Sequence, residues 1–484
     1  MSSLKNKTVS GLIWSFIDNF SRLGLNFVIG IILARLLTPR EFGLIGMVTI
    51  FMALSESLVD SGFTKALIRK KDCTQTDYST AFYFNLFVGI ILYAVLFFSA
   101  GAISRFFDEP QLLFIVQVVG IGIIINAFTI IQRARLIKAI NFKLQTKISI
   151  IASIVSGIIG ITMAFKGYGV WSLVIKTLLG FAITSFLLWL WNKWKPSLVF
   201  CRNSFKEMFS FGYKLVISDL IEDAYQNIYL LIIGKYFSAA ELGFYTRADR
   251  FNNLPSQNIT RAIQRVSYPI LSEMQDDIPR LKTAYQKLIK STMLITFVSM
   301  MIMVASAKPL ILTLVGDKWL PSVIYLQLLS FVGILYPLHA INMNMLNVQG
   351  RSDLLLRLEI IKKILAIPVI VIGVLLGIKI MILGMIIISM TGYFLNSYYS
   401  GKLINYSRMQ QLKDILPSFI LALFIGTNVY LIGLFLELPS YLILIIQLMA
   451  GGGLFLVLAE LFKMQDYLFL KEIFLNKVLK RKSD

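Results

Sequence analysis

Fourteen apolar stretches follow one another along this chain, separated by short polar connections, and each is close to the length a helix needs to cross hydrocarbon. Inside a bilayer the backbone has no water to bond with, so a chain of this kind is restricted to helices or a closed barrel, and runs this long select helices. The first six lie near 10–36, 43–64, 79–104, 112–132, 148–165 and 169–191. After a longer polar connection at 192–211, six more lie near 212–235, 244–272, 284–307, 320–346, 358–378 and 380–401, and a last pair near 415–436 and 440–462. With 57% hydrophobic residues and a mean hydropathy of +0.75, a soluble domain is excluded, and the fold class is an all-α polytopic membrane protein. Asp18, Asn19 and Arg22 interrupt the first stretch and no small-residue cleavage site follows it, so it reads as a span and not as a signal peptide.

The net charge of +21 raises the question of nucleic acid, but the basic residues sit between the apolar runs, where they report topology. With the N-terminus inside, 33 of the 47 Lys and Arg residues fall in or at the margins of inside segments and eight in outside ones. Both termini are therefore expected in the cytoplasm. Cys73 and Cys201 both fall in inside loops, which argues against a disulfide.

The remaining six basic residues, Arg22, Lys176, Arg247, Arg250, Arg261 and Arg265, lie inside spans, four of them in the stretch from Tyr245 to Met274. A central Arg costs about 2.5–3.5 kcal/mol on insertion, so such residues are expected to face a protein interior or a wet cavity. Arg250, Asn253, Gln257, Arg261 and Gln264 recur at three- and four-residue spacing and share one helix face. From Arg250 to Arg265 that face extends roughly 22 Å at 1.5 Å per residue. The acidic counterparts are Asp18 beside Arg22, Glu56 with Asp60, and Asp219 with Glu222 and Asp223. Each set spans about one helical turn and so shares a face.

The chain also repeats itself. Residues 31–43, IILARLLTPREFG, align with 231–243, LIIGKYFSAAELG, placing Arg35 over Lys235, Glu41 over Glu241 and Gly43 over Gly243. Gln132 with its neighbours aligns with the region of Gln349, and Gly160 with Lys166 aligns with Gly373 and Lys379. An offset of six helices leaves both halves in the same orientation, related by an axis along the membrane normal. The expected domains are an N-terminal lobe at 1–205, a second lobe at 206–409, and a C-terminal helix pair with a basic tail at 410–484. Pro255 is expected to kink the arginine-bearing helix, His339 to be structural, and Trp189, Trp191 and Trp194 to form an interfacial belt.

LIWSFIDNF with ILARLLTPREFGLIGM, GYGVWSLV at 167–174, and YTRADRFNNLPSQ with VSYPILSEMQ resemble the bacterial oligosaccharide flippases of the O-antigen and exopolysaccharide (Wzx-type) branch of the multidrug/oligosaccharidyl-lipid/polysaccharide exporter superfamily. The resemblance covers about the first 410 residues. It implies two six-helix lobes in a V around a central cavity, alternating access, and location in the cytoplasmic (inner) membrane. The cargo it implies is an undecaprenyl-diphosphate-linked oligosaccharide carried to the outer leaflet for surface polysaccharide synthesis. The substrate-facing candidates are then Arg250, Arg261, Arg265, Arg247, Arg22, Asn253, Gln257 and Lys176; Asp18, Glu56, Asp60, Asp219, Glu222 and Asp223 are candidates for a gate or for ion coupling. Arg261 or Arg265 pairing with Glu222 or Asp223 would form such a gate. No cofactor or metal is expected beyond a coupling proton or sodium ion. The expected partners are the lipid-linked oligosaccharide, the bilayer, and the polysaccharide polymerase and chain-length machinery, with no nucleic acid. A cation-coupled multidrug exporter of the same fold and a membrane polysaccharide polymerase or ligase are the alternatives. The first fits poorly with four arginines in one span, and the second would need a larger outside loop than any here.

Overall fold

A computed structural model describes residues 2–479, and these are helices joined by short turns, with no strand among them. The chain groups into two compact units, residues 1–243 and 244–484. The first contains α1 (Ser2–Leu36), α2 (Pro39–Asp60), the short α3 (Phe63–Arg69), α4 (Gln75–Phe107), α5 (Leu112–Lys138), α6 (Phe142–Phe165), α7 (Val170–Asn192) and α8 (Arg202–Tyr236). The division between units falls inside α9 (Ala239–Glu273). The second unit holds the rest of α9, then α10 (Ile278–Leu314), α11 (Ser322–Gly333), α12 (Tyr336–Val348), α13 (Ser352–Leu376), α14 (Ile378–Leu403), α15 (Arg408–Phe435), α16 (Ser440–Leu461) and α17 (Gln465–Leu479).

Ten of the described helical stretches are long and apolar enough to cross a membrane, counting α2 with α3 and α11 with α12 as single stretches. The long helices α1, α8 and α9, and also α13, are not among the ten. The first three carry most of the intramembrane charges expected from the sequence.

Local chemistry sets the helix boundaries. Glu41 reaches back to accept from the Thr38 amide at 2.6 Å while Pro39 opens α2, so two of the donors exposed at a helix start are accounted for. Thr74 and Asp77 cap α4 reciprocally, at 3.2 and 2.9 Å. α2 ends where Ser61 and Gly62 both take positive φ, and the missing Gly62 side chain lets that turn lie against the Gly212 backbone of α8. α9 runs helical through Pro255, so no break of the helix appears there.

In the first unit α1 packs on α6, α4 on α5, α7 on both α5 and α6, and α2 on α8. One end of this unit is tied by polar bonds as well as by aromatic packing. Gln132 of α5 is fully buried and donates to the Trp194 carbonyl at 3.0 Å, while Asn192 donates to the Gln132 side chain at 2.6 Å. Trp194, expected at the interface with Trp189 and Trp191, is instead 6% exposed and donates its indole N–H to Gln75 at 2.7 Å. It packs edge-on against Phe82, and a buried indole with a partner for its N–H is a stable arrangement.

In the second unit α10 is the central strut, packed on α11, α15, α16 and α17. Its Met293, Leu294, Phe297 and Met301 share a core with Leu421, Ala422, Ile425 and Val429 of α15. His339 sits on α12 between Ser389, 3.1 Å from Nε2, and Asn396, 3.3 Å from Nδ1, so it ties α12 to α14.

The segments aligned at 31–43 and 231–243 also meet in the fold. Within the first unit, a Cβ on Gly43 would lie 1.6 Å from the Ala239 carbonyl oxygen, and one on Gly243 would lie 1.9 Å from that of Pro39. The first turns of α2 and α9 thus cross backbone to backbone at equivalent positions. Gly43→Val is expected to cost at least the ~1–3 kcal/mol of an overpacked site, lowering the thermal midpoint of the detergent-solubilised protein by fluorescence-detected size exclusion. Gly24→Ala, whose new Cβ meets nothing within 4 Å, should leave the midpoint in place.

Candidate functional site

The charges expected inside spans form two groups, one in each unit. In the first unit, α2 and α8 lie side by side, and the one-turn spacing of Glu56 and Asp60 on α2, and of Asp219 and Asp223 on α8, brings four carboxylates into one region. Ser57 donates to the Asp223 carboxylate and Thr64 to that of Asp60. Lys65 pairs with Asp219 at 2.7 Å. Asn227 donates to the Asp223 carbonyl at 2.8 Å, and Gln226 to Glu222 at 2.7 Å on the exposed side of α8.

Two cations extend the group. Arg133 of α5 interacts with the charges of Glu56, Asp18 and Arg22, and Glu56 interacts in turn with Asp223. A chain of charge therefore runs from Asp18 and Arg22 on α1, through Arg133 and Glu56, to Asp223, and from Asp60 to Asp219 and Lys65. Asp18 is 6% exposed, and its Oδ1 has no hydrogen-bond partner among the described residues. Asn19, beside it, has a side chain outside the described residues. By sequence Arg133 follows the stretch at 112–132 and heads the run Arg133, Arg135 and Lys138, the position of a residue that marks an inside connection. α5 stays helical to Lys138 and carries Arg133 into the cluster. A basic residue within the last two turns of a span was the available signal. Lys176 on α7 has its stem packed against Gly160 of α6, where a glycine Cβ would be 2.8 Å from that of Lys176.

In the second unit the polar face of α9 resolves into different environments. Asn253 donates to Asp249 at 2.8 Å and Arg261 to Gln257 at 2.9 Å, each pair one turn apart. Arg250, Arg261 and Arg265 are exposed on the helix surface. Arg247 is 5% exposed, with its guanidinium 5.0 Å from the centre of the Trp319 ring. That geometry is a cation–π contact, and it sets Arg247 apart from the three exposed arginines. Asn252, on the opposite side from Arg250, is fully buried with neither amide atom hydrogen-bonded among the described residues, and it faces Gly333 of α11.

The arrangement offers, in one unit, a partly buried network where carboxylates outnumber cations and, in the other, an accessible row of guanidiniums. The first can bind or release a cation or proton. The second can bind an anion with paired, charge-assisted hydrogen bonds. Neither contains a cluster of His, Cys, Asp and Glu able to hold a metal ion, among the described residues.

Known proteins similar in sequence or in fold share a theme. The teichuronic acid biosynthesis protein TuaB of Bacillus subtilis (strain 168) is 27% identical over 357 residues, covering 73% of this chain and 74% of the relative. The lipopolysaccharide biosynthesis protein WzxC of Escherichia coli (strain K12) is 26% identical over 378 residues, covering 77% and 76%. Among solved structures, the lipid II flippase MurJ in an inward closed conformation superposes with a TM-score of 0.76 over 93% of this chain and 98% of its own, at 16% identity. A multidrug resistance MATE family transporter in an inward-facing conformation gives 0.60 over 82% and 99%, also at 16%. These two likenesses establish the fold, that of the MurJ and MATE transporters. The model of the family described as polysaccharide biosynthesis protein matches residues 32–324, more than half of the chain, and the chain belongs to that family.

Proposed function

We propose that this protein is a flippase that carries an undecaprenyl-diphosphate-linked oligosaccharide from the cytoplasmic to the outer leaflet by alternating access, for the assembly of a surface polysaccharide. The observation that carries this reading is the row of exposed arginines, Arg250, Arg261 and Arg265, on α9. A diphosphate leaving water needs fixed cations along its way, and guanidinium supplies two parallel donors to each phosphate. A cationic drug would be repelled by the same row, which disfavours a multidrug exporter. The names of TuaB and WzxC support a polysaccharide cargo, and the name of MurJ supports a lipid-linked one.

The reading includes fourteen crossings of the cytoplasmic (inner) membrane with both termini inside, supported by the bias of Lys and Arg among the connections. It places two repeats at 1–205 and 206–409 around a cavity, with 410–484 appended, supported by the reciprocal glycines and by the internal sequence match. Asn253, Gln257, Arg22, Lys176 and Arg247 complete the substrate side, Arg247 as the buried support at one end of the row. The carboxylates Asp18, Glu56, Asp60, Asp219, Glu222 and Asp223 serve as gate and ion-coupling groups, with a proton or sodium ion supplying the drive. A polymerase and a chain-length regulator would take over the cargo at the outer face.

Arg250→Ala is expected to slow translocation of a fluorescent undecaprenyl-diphosphate disaccharide in proteoliposomes about 10- to 100-fold, the loss of hydrogen bonds to a charged group at ~1.5–3 kcal/mol, with Arg250→Lys intermediate. Unchanged transport in Arg250→Ala would remove the residue from the path. Glu56→Gln and Asp223→Asn, each measured with and without an imposed proton or sodium gradient, should lose the acceleration that the gradient gives the wild type. Full acceleration in both would place coupling elsewhere.

A further inference from the structure

A cleft of about 390 Å³ lies at the end of the first unit where the α1–α2, α4–α5 and α6–α7 turns meet. The three turns contribute Thr38, Arg40 and Glu41; Gln111 and Phe114; and Tyr168 with Trp171. None of these residues takes part in the charge networks described above, and the bias of Lys and Arg puts this end outside.

The walls are built, and rigid. Tyr168 stands between Gly167 and Gly169, both at positive φ, in a turn closed by four backbone bonds. Among them the Tyr168 amide donates to Met163 at 3.2 Å, and the Tyr168 carbonyl accepts from Trp171 at 3.2 Å. Gly169 has no side chain because Glu41 occupies the space, its Oε1 lying 2.5 Å from where a Cβ would be. Glu41 spends Oε2 on the Thr38 amide and hydroxyl, which fixes the carboxylate and leaves Oε1 turned to the Tyr168 turn. Arg40 is pinned through one nitrogen to Glu109 at 2.7 Å while its side chain remains 55% exposed, so most of its five donors are unspent on that bond. Above this polar floor, Phe114 and Tyr168 are 61% and 55% exposed.

Aromatic residues that only anchor a protein at the bilayer interface present their rings outward to lipid and need no shared hollow. Here the rings border a concave space with a fixed guanidinium, a fixed carboxylate oxygen and a primary amide. Flat apolar faces beside donors and acceptors of both kinds match one ligand chemistry: a pyranose, whose axial C–H face is apolar and whose rim is hydroxyls. We propose that this cleft is a sugar-binding subsite that holds a pyranose of the cargo at the outer face before the cargo leaves. The inference rests on the flippase reading, and extends it from the diphosphate to the glycan. It gives the transporter a means of sensing sugar identity at a place separate from the arginines that bind the phosphates.

The test uses the full-length protein in nanodiscs and methyl glycosides of a neutral hexose, an N-acetylhexosamine and a uronic acid as probes, read by saturation-transfer difference NMR. At least one glycoside is expected to give a signal that falls fivefold or more in Tyr168→Ala and in Gln111→Leu, is kept in Tyr168→Phe, and is unaffected by Arg250→Ala. The same variants enter the proteoliposome assay, where Tyr168→Ala should slow translocation of the sugar-bearing lipid while leaving that of undecaprenyl diphosphate itself unchanged. No glycoside signal, or a signal equal in wild type and Tyr168→Ala, overturns the subsite even if the wild type flips its cargo. A wild type that binds glycosides through Tyr168 but moves no lipid in either assay instead overturns the flippase reading and leaves a sugar site on this surface.

Discussion

Charge inside hydrocarbon is the constraint on which the rest of this structure depends. Each carboxylate or guanidinium placed in a spanning helix costs several kcal/mol unless the protein supplies a partner or a wet surface. The first unit answers with partners: Ser57 on Asp223, Thr64 on Asp60, Lys65 on Asp219, and Arg133 facing Glu56 and Asp18. α2 and α8 must therefore pack together, and the positive-φ turn at Ser61 and Gly62 is shaped to let them. α9 answers differently, burying Arg247 under an indole and leaving Arg250, Arg261 and Arg265 on its surface. Three guanidiniums left uncovered on one helix face need water or an anion beside them, which is why the surface of α9 is the basis of the proposed function.

Much of this was legible before any coordinates. The apolar stretches and the charge bias along the chain are local properties, and helices follow from them because lipid permits little else. The helix ends were less legible: α8 begins at Arg202 and α10 extends from Ile278 to Leu314, beyond the apolar stretches 212–235 and 284–307, because a polar turn lengthens a helix without adding to its apolar run. The one-turn pairs of carboxylates were legible because helical periodicity places them on a common face, whatever they face.

Partnership across the sequence was less accessible. Arg133 looked like a topology marker because a basic residue near the end of a span has two uses, and only the neighbouring α1 and α2 decide between them. Arg247 shares its spacing with Arg250, yet Trp319, more than seventy residues away, removes it from the exposed row. Trp194 has the composition of an interfacial anchor and the bonding of a core residue, a difference made by Gln75 and Gln132. The aromatic cleft is a sharper case, since Arg40, Gln111 and Tyr168 lie on three separate turns and carry no common motif.

The reciprocal crossing at Gly43 and Gly243 has a consequence for inheritance. Because Gly43 meets the Ala239 carbonyl and Gly243 that of Pro39, neither position can accept a side chain while the other helix start stays where it is. The two segments that align at 31–43 and 231–243 can change almost everywhere else, but at this crossing a change in one is limited by the backbone of the other. Among homologues, a substitution at one glycine should be accompanied by a displaced or shortened helix start at the other, so that the two positions change together or not at all.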